Sequence, residues 1–185
     1  VLEYMEVLDR QSSRLKKLIE DLIEASKAST GNLAVNFEEC DIAVILSQAV
    51  GEFEDKMTAR ELTAVVSYPE NSISVKADGR HLWRVFDNLL NNICKYAQPG
   101  TRVYIDVAQR GSIVEIIFKN ISSSQLNISS DELMERFVRG DSSRNTEGSG
   151  LGLSIANSLM ELMNGKMTLD VDGDLFKVTL AFDAE

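Results

Sequence analysis

Histidine, cysteine and proline are scarce in this sequence of 185 residues, which has one histidine, two cysteines and two prolines. The cysteines, Cys40 and Cys94, lie far apart and form no CxxC pair. With His81 as the single histidine, a zinc site is not expected, and the low cysteine content indicates a reducing compartment. No apolar run approaches the roughly 18 residues that a membrane-spanning helix requires, and no signal peptide is evident.

Positive charge is also in short supply, because 29 Asp and Glu outnumber 19 Lys and Arg and give a net charge of −10. This acidity argues against a nucleic-acid backbone as the main partner. An acidic protein still binds a nucleotide where lysines, a helix N-terminus or a metal ion supply local positive charge. Because residue 1 is Val, we expect a fragment of a longer cytoplasmic protein, with any membrane anchor lying outside it.

Residues 1–29 show one long helical pattern. A heptad seam of alternating steps of 4 and 3 is formed by Val1, Met5, Leu8, Ser12, Leu15, Ile19, Leu22 and Ser26. Such a seam predicts a bundle helix whose partner is a second copy or a segment missing from this sequence, and Gly31-Asn32 ends it. The alternative is a helix that packs on its own domain.

The remainder alternates helices and strands. Three helices are predicted, with N-caps at Asp41 and Asp78 for the first two: residues 41–57, 78–98 and 151–163. Seven strands are predicted, at residues 33–37, 62–67, 73–76, 102–108, 113–119, 167–171 and 175–182, and one short helix at residues 131–137. Mostly antiparallel strands with helices predict an α+β fold, a two-layer sandwich at residues 33–185 preceded by a helical part at residues 1–30.

Three glycines alternate in the stretch TEGSGLGLSIA at residues 146–156. Glycine loops before helices bind phosphate, because their N–H groups turn towards one point at the positive end of the helix. The GxGxG spacing, with no lysine and with a polar loop rather than a strand before it, matches neither a Walker A loop nor the dinucleotide fingerprint. The alternative is a flexible loop that leads into a helix.

The predicted helix at residues 81–97 carries unusual residues on its polar side. That side holds Arg84, Asn88, Asn91, Asn92 and Lys95, with Tyr96 at its edge. Each asparagine costs up to ~0.7 kcal/mol of helix propensity relative to alanine, so a function is expected to offset that cost. Asn88 and Asn92 lie one turn apart, and their carbonyl oxygens suit Mg²⁺, which usually bridges substrate phosphates. The alternative is a solvated helix face.

These motifs resemble those of sensor histidine kinases. The run from Asn88 to Tyr96 resembles their N box, Glu135–Asp141 their F box, and Gly148-Ser-Gly150-Leu-Gly152-Leu their second glycine box. The resemblance implies the GHKL ATP-binding fold, which is a two-layer α/β sandwich. The helix that ends in Leu22-Ile-Glu-Ala-Ser-Lys27 is similar to the second helix of the family's dimerisation and histidine-phosphotransfer domain.

The resemblance also implies roles for residues in an ATP site. Asn92 would bind Mg²⁺ bridging the ATP phosphates, and Asn88 and Lys95 would contact phosphate oxygens. Tyr96 would stack near the adenine.

A lid over the triphosphate is implied by the same resemblance. Its glycines would present backbone N–H groups: Gly148, Gly150 and Gly152, with Leu151 between them. Phe137 would anchor the lid, and Arg139 would lie close to the nucleotide. The alternative for Arg139 and Arg144 is a solvated loop.

Two features depart from the family pattern. Where the family has a first glycine box, DxGxG, this chain has Asn120-Ile-Ser122-Ser-Ser124. Asn120 would still offer the adenine amine a carbonyl acceptor, but a neutral one, and charge-assisted bonds are roughly twice as strong. The helix that carries the family's phosphoaccepting histidine is absent, and His81 is not expected to replace it.

The resemblance therefore implies an enzyme that moves the γ-phosphoryl of Mg·ATP to a histidine and onward to a response regulator. In the full-length protein we expect a homodimer formed through the N-terminal helix. The alternative is a non-catalytic ATP-binding or scaffolding pseudokinase module, which the altered first glycine box suggests.

Overall fold

The computed structural model of the chain describes residues 2–126, 129, 132 and 151–184. Its helices are α1 (Leu2–Ser29), α2 (Ile42–Glu52), α3 (Glu54–Ala59), α4 (Gly79–Tyr96) and α5 (Gly152–Leu162). Its strands are β1 (Glu38–Asp41), β2 (Thr63–Ser67), β3 (Ser74–Ala77), β4 (Arg102–Arg110), β5 (Ile113–Ile121), β6 (Lys166–Asp172) and β7 (Leu175–Asp183). In the part of the chain so described, each helix is too short or too polar to cross a lipid bilayer.

The main sheet has five strands in the order β2-β4-β5-β7-β6. The pairing of β2 with β4 is parallel, and the other three pairings are antiparallel. Two hairpins supply most of the sheet, and their turns place Gly111 and Gly173 at positive φ, where a residue without Cβ is favoured. A second, two-stranded sheet pairs β1 with β3.

One face of the main sheet carries the core and the other faces water. On β5 the buried side chains of Val114, Ile116 and Phe118 alternate with partly exposed ones. Phe118 meets Phe86 of α4 with ring centroids 5.9 Å apart, which joins the helix layer to the sheet. On the open face, Lys119 Nζ lies 2.7 Å from Asp106 Oδ2. The predicted two-layer sandwich is confirmed.

The segment before β1 corrects one prediction. Residues 33–37, predicted as a strand, have no regular structure, and β1 begins at Glu38. The reason is that side chains, not a neighbouring strand, bind this backbone. Asn36 N–H donates to Asp78 Oδ2 at 2.8 Å, and the carbonyl of Ala34 lies 2.8 Å from His81 Nε2.

The helix predicted for residues 41–57 is two helices. Asp41 caps α2 as predicted, but the chain turns at Phe53, whose N–H bonds Val50 O at 3.0 Å. Phe53 is buried in the core, and Glu54 and Asp55 then favour a new helix N-terminus. The predicted helix at residues 131–137 lies, apart from Glu132, outside the described residues.

The long helix α1 is buried along one side and exposed along another. A stripe through Leu18, Asp21, Ala25 and Ala28 is partly or fully buried against the rest of the chain. From Met5 to Ser26 the heptad seam stays open to solvent, with Leu8 68% and Leu22 60% exposed. The helix therefore packs on its own domain, the alternative raised above, and still leaves its predicted seam uncovered.

Candidate functional site

Helix α4 is fixed at its start by a buried aspartate. Asp78 Oδ1 accepts hydrogen bonds from the N–H groups of Arg80 and His81 at 3.0 and 3.3 Å, while Oδ2 accepts from Asn36. Burial would raise the pKa of the Asp78 carboxyl, but the backbone hydrogen bonds from Asn36 and His81 outweigh it and hold the pKa below its ordinary value. The carboxylate is thus locked as an N-cap.

The polar side of α4 faces a cavity of about 530 Å³. Asn88, Asn92, Lys95 and Tyr96 line it from α4, and Gly152 lines it from the start of α5. The structure thus brings Gly152, the last glycine of its motif, to the asparagine motif, which lies more than 50 residues earlier in the sequence. Residues of α1 and α3 complete the walls.

Asn88 is the most informative side chain in this cavity. It is only 7% exposed, and its Nδ2 has no hydrogen-bond partner among the described residues. An unpaired buried amide donor costs about 1–3 kcal/mol, so it calls for an acceptor that a ligand can bring. A Cβ added at Gly152 would lie 3.3 Å from Asn88 Oδ1, which explains why a glycine suits the position where α5 begins.

The first turn of α5 offers backbone donors to the same place. Leu151 precedes the helix, and among the described residues no side chain caps its N-terminus. The first N–H groups of a helix have no partner within it and carry partial positive charge. Together with Asn88 they give this part of the cavity wall several donors, and the one carboxylate that lines the cavity, Asp21, lies 3.0 Å from the Arg84 guanidinium.

The other polar residues of α4 differ in whether their side chains already bind a protein group. Asn91 Nδ2 donates to the carbonyl and the carboxylate of Asp87 at 2.9 and 3.0 Å, so its amide supports the helix itself. Lys95 Nζ lies 4.8 Å from the ring centroid of Tyr96 and has no carboxylate partner in the described chain. The ammonium group of Lys95, which lies beside an aromatic ring, can therefore form an ion pair with a bound anion.

Asn120 lies apart from this wall. It ends the buried face of β5, is 5% exposed, and donates from Nδ2 to the carbonyl of Ile121 at 3.3 Å. It is not among the residues that line the cavity, and neither is Leu151. The following residues tie the strand to the end of α4, since Ser123 N–H bonds Tyr96 O at 2.8 Å.

Several predicted site residues lie outside the described residues. They are Phe137, Arg139, Arg144, Gly148 and Gly150. Their roles in a lid stay predictions.

The sequence reasoning missed four cations that line the cavity: Arg14 and Lys17 on α1, Lys56 on α3, and Arg60 directly after α3. These residues belong to no motif, and only the tertiary packing of two separate helices on α4 brings them there. No signal in the sequence singles them out from other exposed lysines and arginines.

An ion-pair network was missed as well, although Arg84 was placed on the correct face. Its guanidinium lies 3.0 Å from Asp21 and 2.8 Å from Glu24, both on α1, and 2.7 Å from Asp87. Burial would lower the pKa of Arg84, but Glu24, Asp87 and Asp21 together raise it above its ordinary value. The network fastens α1 to α4 beside the cavity.

Comparison with protein families matches residues 77–184, more than half of the chain, to "Histidine kinase-, DNA gyrase B-, and HSP90-like ATPase". The histidine-protein kinase BaeS of Escherichia coli K12 is 33% identical over 162 residues, covering 86% of this chain and 34% of that protein. The probable sensor protein PcoS of Escherichia coli is 32% identical over 190 residues, covering 99% and 40%. The chain thus spans well under half the length of these relatives.

Solved structures share the fold. The histidine kinase AdeS of Acinetobacter baumannii superposes with a TM-score of 0.80 at 19% identity, covering 98% of this chain and 84% of that one. Histidine kinase ThkA, in a complex with response regulator protein TrrA, gives 0.75 at 17% identity, covering 99% and 51%. The similarities do not favour the scaffold alternative. The chain belongs to the histidine kinase-, DNA gyrase B- and HSP90-like ATPases, with the catalytic domain of a sensor histidine kinase.

Proposed function

We propose that the cavity beside α4 binds Mg·ATP and that the protein transfers the γ-phosphoryl group to a histidine on a segment outside this chain. The observation that carries the proposal is the buried, unpaired donor of Asn88, whose side chain lies against Gly152 in the first turn of α5. A phosphate oxygen accepts hydrogen bonds from both, and few other ligand groups would satisfy so many donors at once.

The residues present fit a magnesium ion held mainly by its nucleotide. Mg²⁺ prefers oxygen ligands, keeps several waters and usually bridges substrate phosphates. Asn92 lines the cavity one turn from Asn88, and its amide oxygen is a neutral ligand of this kind. When bound there, the ion would neutralise charge that develops on the phosphate oxygens.

The chain's own contribution to transfer is orientation. Asn88 and the first turn of α5 hold phosphate oxygens, Lys95 adds a positive charge, and Tyr96 offers a ring to the base. The acceptor imidazole forms a bond to the γ-phosphorus as the bond to the β–γ bridging oxygen breaks, and ADP leaves. Such reactions depend mostly on positioning and electrostatic stabilisation.

His81 is not the acceptor in this proposal. Its Nε2 is engaged with the carbonyl of Ala34 at 2.8 Å, and its side chain lies beside the Asp78 cap at the opposite end of α4 from Lys95. We therefore expect no transfer of γ-phosphate onto the isolated chain.

The N-terminal helix belongs to a separate functional part in this proposal. Residues 1–30 would be the second helix of a dimerisation and histidine-phosphotransfer domain, and residues 33–185 the ATP-binding domain. The exposed seam of α1 supports this division, because large apolar side chains in contact with water favour a partner helix. The partners would be a second copy of the full-length protein and the receiver domain of a response regulator.

Two measurements test the proposed function. Titration calorimetry on this chain should show ATP binding that strengthens when Mg²⁺ is added. The full-length protein should then form acid-labile phosphate from γ-labelled ATP, whereas the isolated chain should not. Absence of Mg²⁺-dependent ATP binding would overturn the proposed site, and acid-labile phosphate on the isolated chain would overturn the assignment of the acceptor to another segment.

A further inference from the structure

The short helix α3 and the residue that follows it bring two cations to the cavity. Lys56 and Arg60 are one turn apart, and both line the cavity that Asn88, Asn92 and Lys95 line from α4. In a chain with ten more acidic than basic residues, neither forms an ion pair with a described carboxylate. Unpaired cations gathered around one cavity repel each other, so an anion bound between them is favourable.

Contacts on the protein side hold both groups in place. Arg60 Nε donates to the carbonyl of Cys94, in the last turn of α4, at 3.0 Å. That bond uses one of the five guanidinium donors and leaves the others available. Lys56 Nζ lies 4.5 Å from the ring centroid of Phe53, which is buried in the core.

Electrostatics support the placement. Burial raises the pKa of the Cys94 thiol above its ordinary value, and the charges of Lys56 and Arg60 oppose that rise. Their field therefore reaches the cavity wall beside Lys95. A role limited to capping α4 would explain the bond from Arg60 to Cys94, but it would not explain Lys56, which makes no contact with a carbonyl at the end of α4 among the described residues.

We propose that Lys56 and Arg60 bind the phosphate chain of the nucleotide, so that the anion lies between α3 on one side and the amides of α4 on the other. The inference rests on the proposed function, because it assumes that a nucleoside triphosphate enters this cavity. It adds residues of α3 to the site and makes affinity depend on the number of phosphates.

The test compares Lys56→Gln and Arg60→Gln with two matched controls, Lys166→Gln and Arg102→Gln. The controls remove the same charges from exposed positions outside the cavity. Dissociation constants for Mg·ATP, Mg·ADP and adenosine are measured by calorimetry at two salt concentrations. Both α3 variants should weaken ATP binding about three- to tenfold, ADP binding less and adenosine binding not at all, with a smaller salt dependence than the parent.

The outcomes separate this inference from the function it rests on. Equal affinities for ATP in the parent, the α3 variants and the controls would overturn the role of Lys56 and Arg60 and leave the ATP site intact. An equal loss for ATP and adenosine would also overturn it, since it would indicate a disturbed pocket rather than lost phosphate contacts. If the parent itself binds no nucleotide, the proposed function fails first and the inference fails with it.

Discussion

Two buried asparagines, Asn88 on α4 and Asn120 on β5, show how differently the same side chain is used in this fold. Both are less than a tenth exposed. Asn88 leaves its amide donor without a partner and faces the cavity, whereas Asn120 gives its donor to the neighbouring carbonyl of Ile121. The unsatisfied group carries an energetic cost in the folded protein, and the satisfied group does not.

The comparison divides the proposed site into two parts. On α4 and α5, which form the open part, hydrogen-bond donors and positive charge line the cavity. At the end of β5, which forms the closed part, the polar groups already bind one another. Ser122 pairs there with Ala97, and its N–H donates to the carbonyl of Asp174 at 2.8 Å. In the proposed ATP site, the donors for the phosphates are therefore already in place, while recognition of the base depends on whether Asn120 Oδ1 reaches the ligand.

The largest expected effect on ATP affinity is in the open part of the site, at Asn92 on α4. Asn92→Ala should weaken Mg²⁺-dependent ATP binding by about 3 kcal/mol, roughly 100-fold in Kd, because the ion that bridges the phosphates would lose its ligand on α4. Asn91→Ala is the matched control: it makes the same change in helix propensity, but the Asn91 amide is engaged by Asp87. Calorimetry that finds equal affinity in the two variants would contradict the role of Asn92.

The fold was largely predictable because local signals and packing agree. The caps at Asp41 and Asp78, the turns at Gly111 and Gly173, and alternation on β5 each point to the element observed. The strand predicted at residues 33–37 was wrong because the hydrogen bonds to Asp78 and His81 come from far along the chain, and a periodicity argument contains no information on them.

The site was predictable only where it follows motifs. Asn88, Asn92, Lys95 and Gly152 converge as the resemblance implied. Lys56 and the ion pairs of Arg84 were not foreseen, because they depend on how α3 and α1 pack on α4. Long-range side-chain contacts of this kind carry no local pattern.

The next prediction concerns Asn120 and tests the closed part of the site, at the end of β5. If its Oδ1 accepts from the adenine amine, Asn120→Leu should weaken ATP binding by ~1–3 kcal/mol, since the amine would lose its partner. Asn120→Asp would gain a charged acceptor for the amine, worth about 1 kcal/mol, but would place an oxygen against Ile121 O in place of the donor. Calorimetric affinity of the Leu variant equal to that of the parent would show that this position does not read the base.

A smaller effect is expected at the contact between the two motifs. Gly152→Ala would place a Cβ 3.3 Å from Asn88 Oδ1, so the amide must shift by a few tenths of an ångström. We expect ATP binding to weaken by about 1 kcal/mol while thermal stability is kept, because alanine suits a helix better than glycine. Gly51→Ala in α2, where a Cβ meets nothing within 4 Å, should stabilise the fold and leave ATP affinity unchanged. Loss of affinity in both variants would remove the special role of Gly152.

The smallest effect on binding, and a clear one on stability, is expected at the start of α4. Asp78→Asn keeps an N-capping oxygen but loses the second acceptor, so the N–H of Asn36 faces an amide N–H or stays unpaired, at a cost of about 1 kcal/mol in the free energy of unfolding.

The effect of Asp78→Asn should depend on pH, because the folded-state pKa of Asp78 lies below its ordinary value. The contribution of the carboxylate is therefore fully present above the unfolded-state pKa of about 3.9 and is lost as pH falls through the folded-state pKa. The difference in free energy of unfolding between parent and variant, from urea titrations, should be constant between pH 7 and about pH 5 and should shrink below about pH 4. ATP affinity at pH 7 should change less than in any variant above. A difference that grows as the pH is lowered would show that the capping carboxylate does not stabilise the start of α4. The position of Asn88 on that helix would then depend on other contacts.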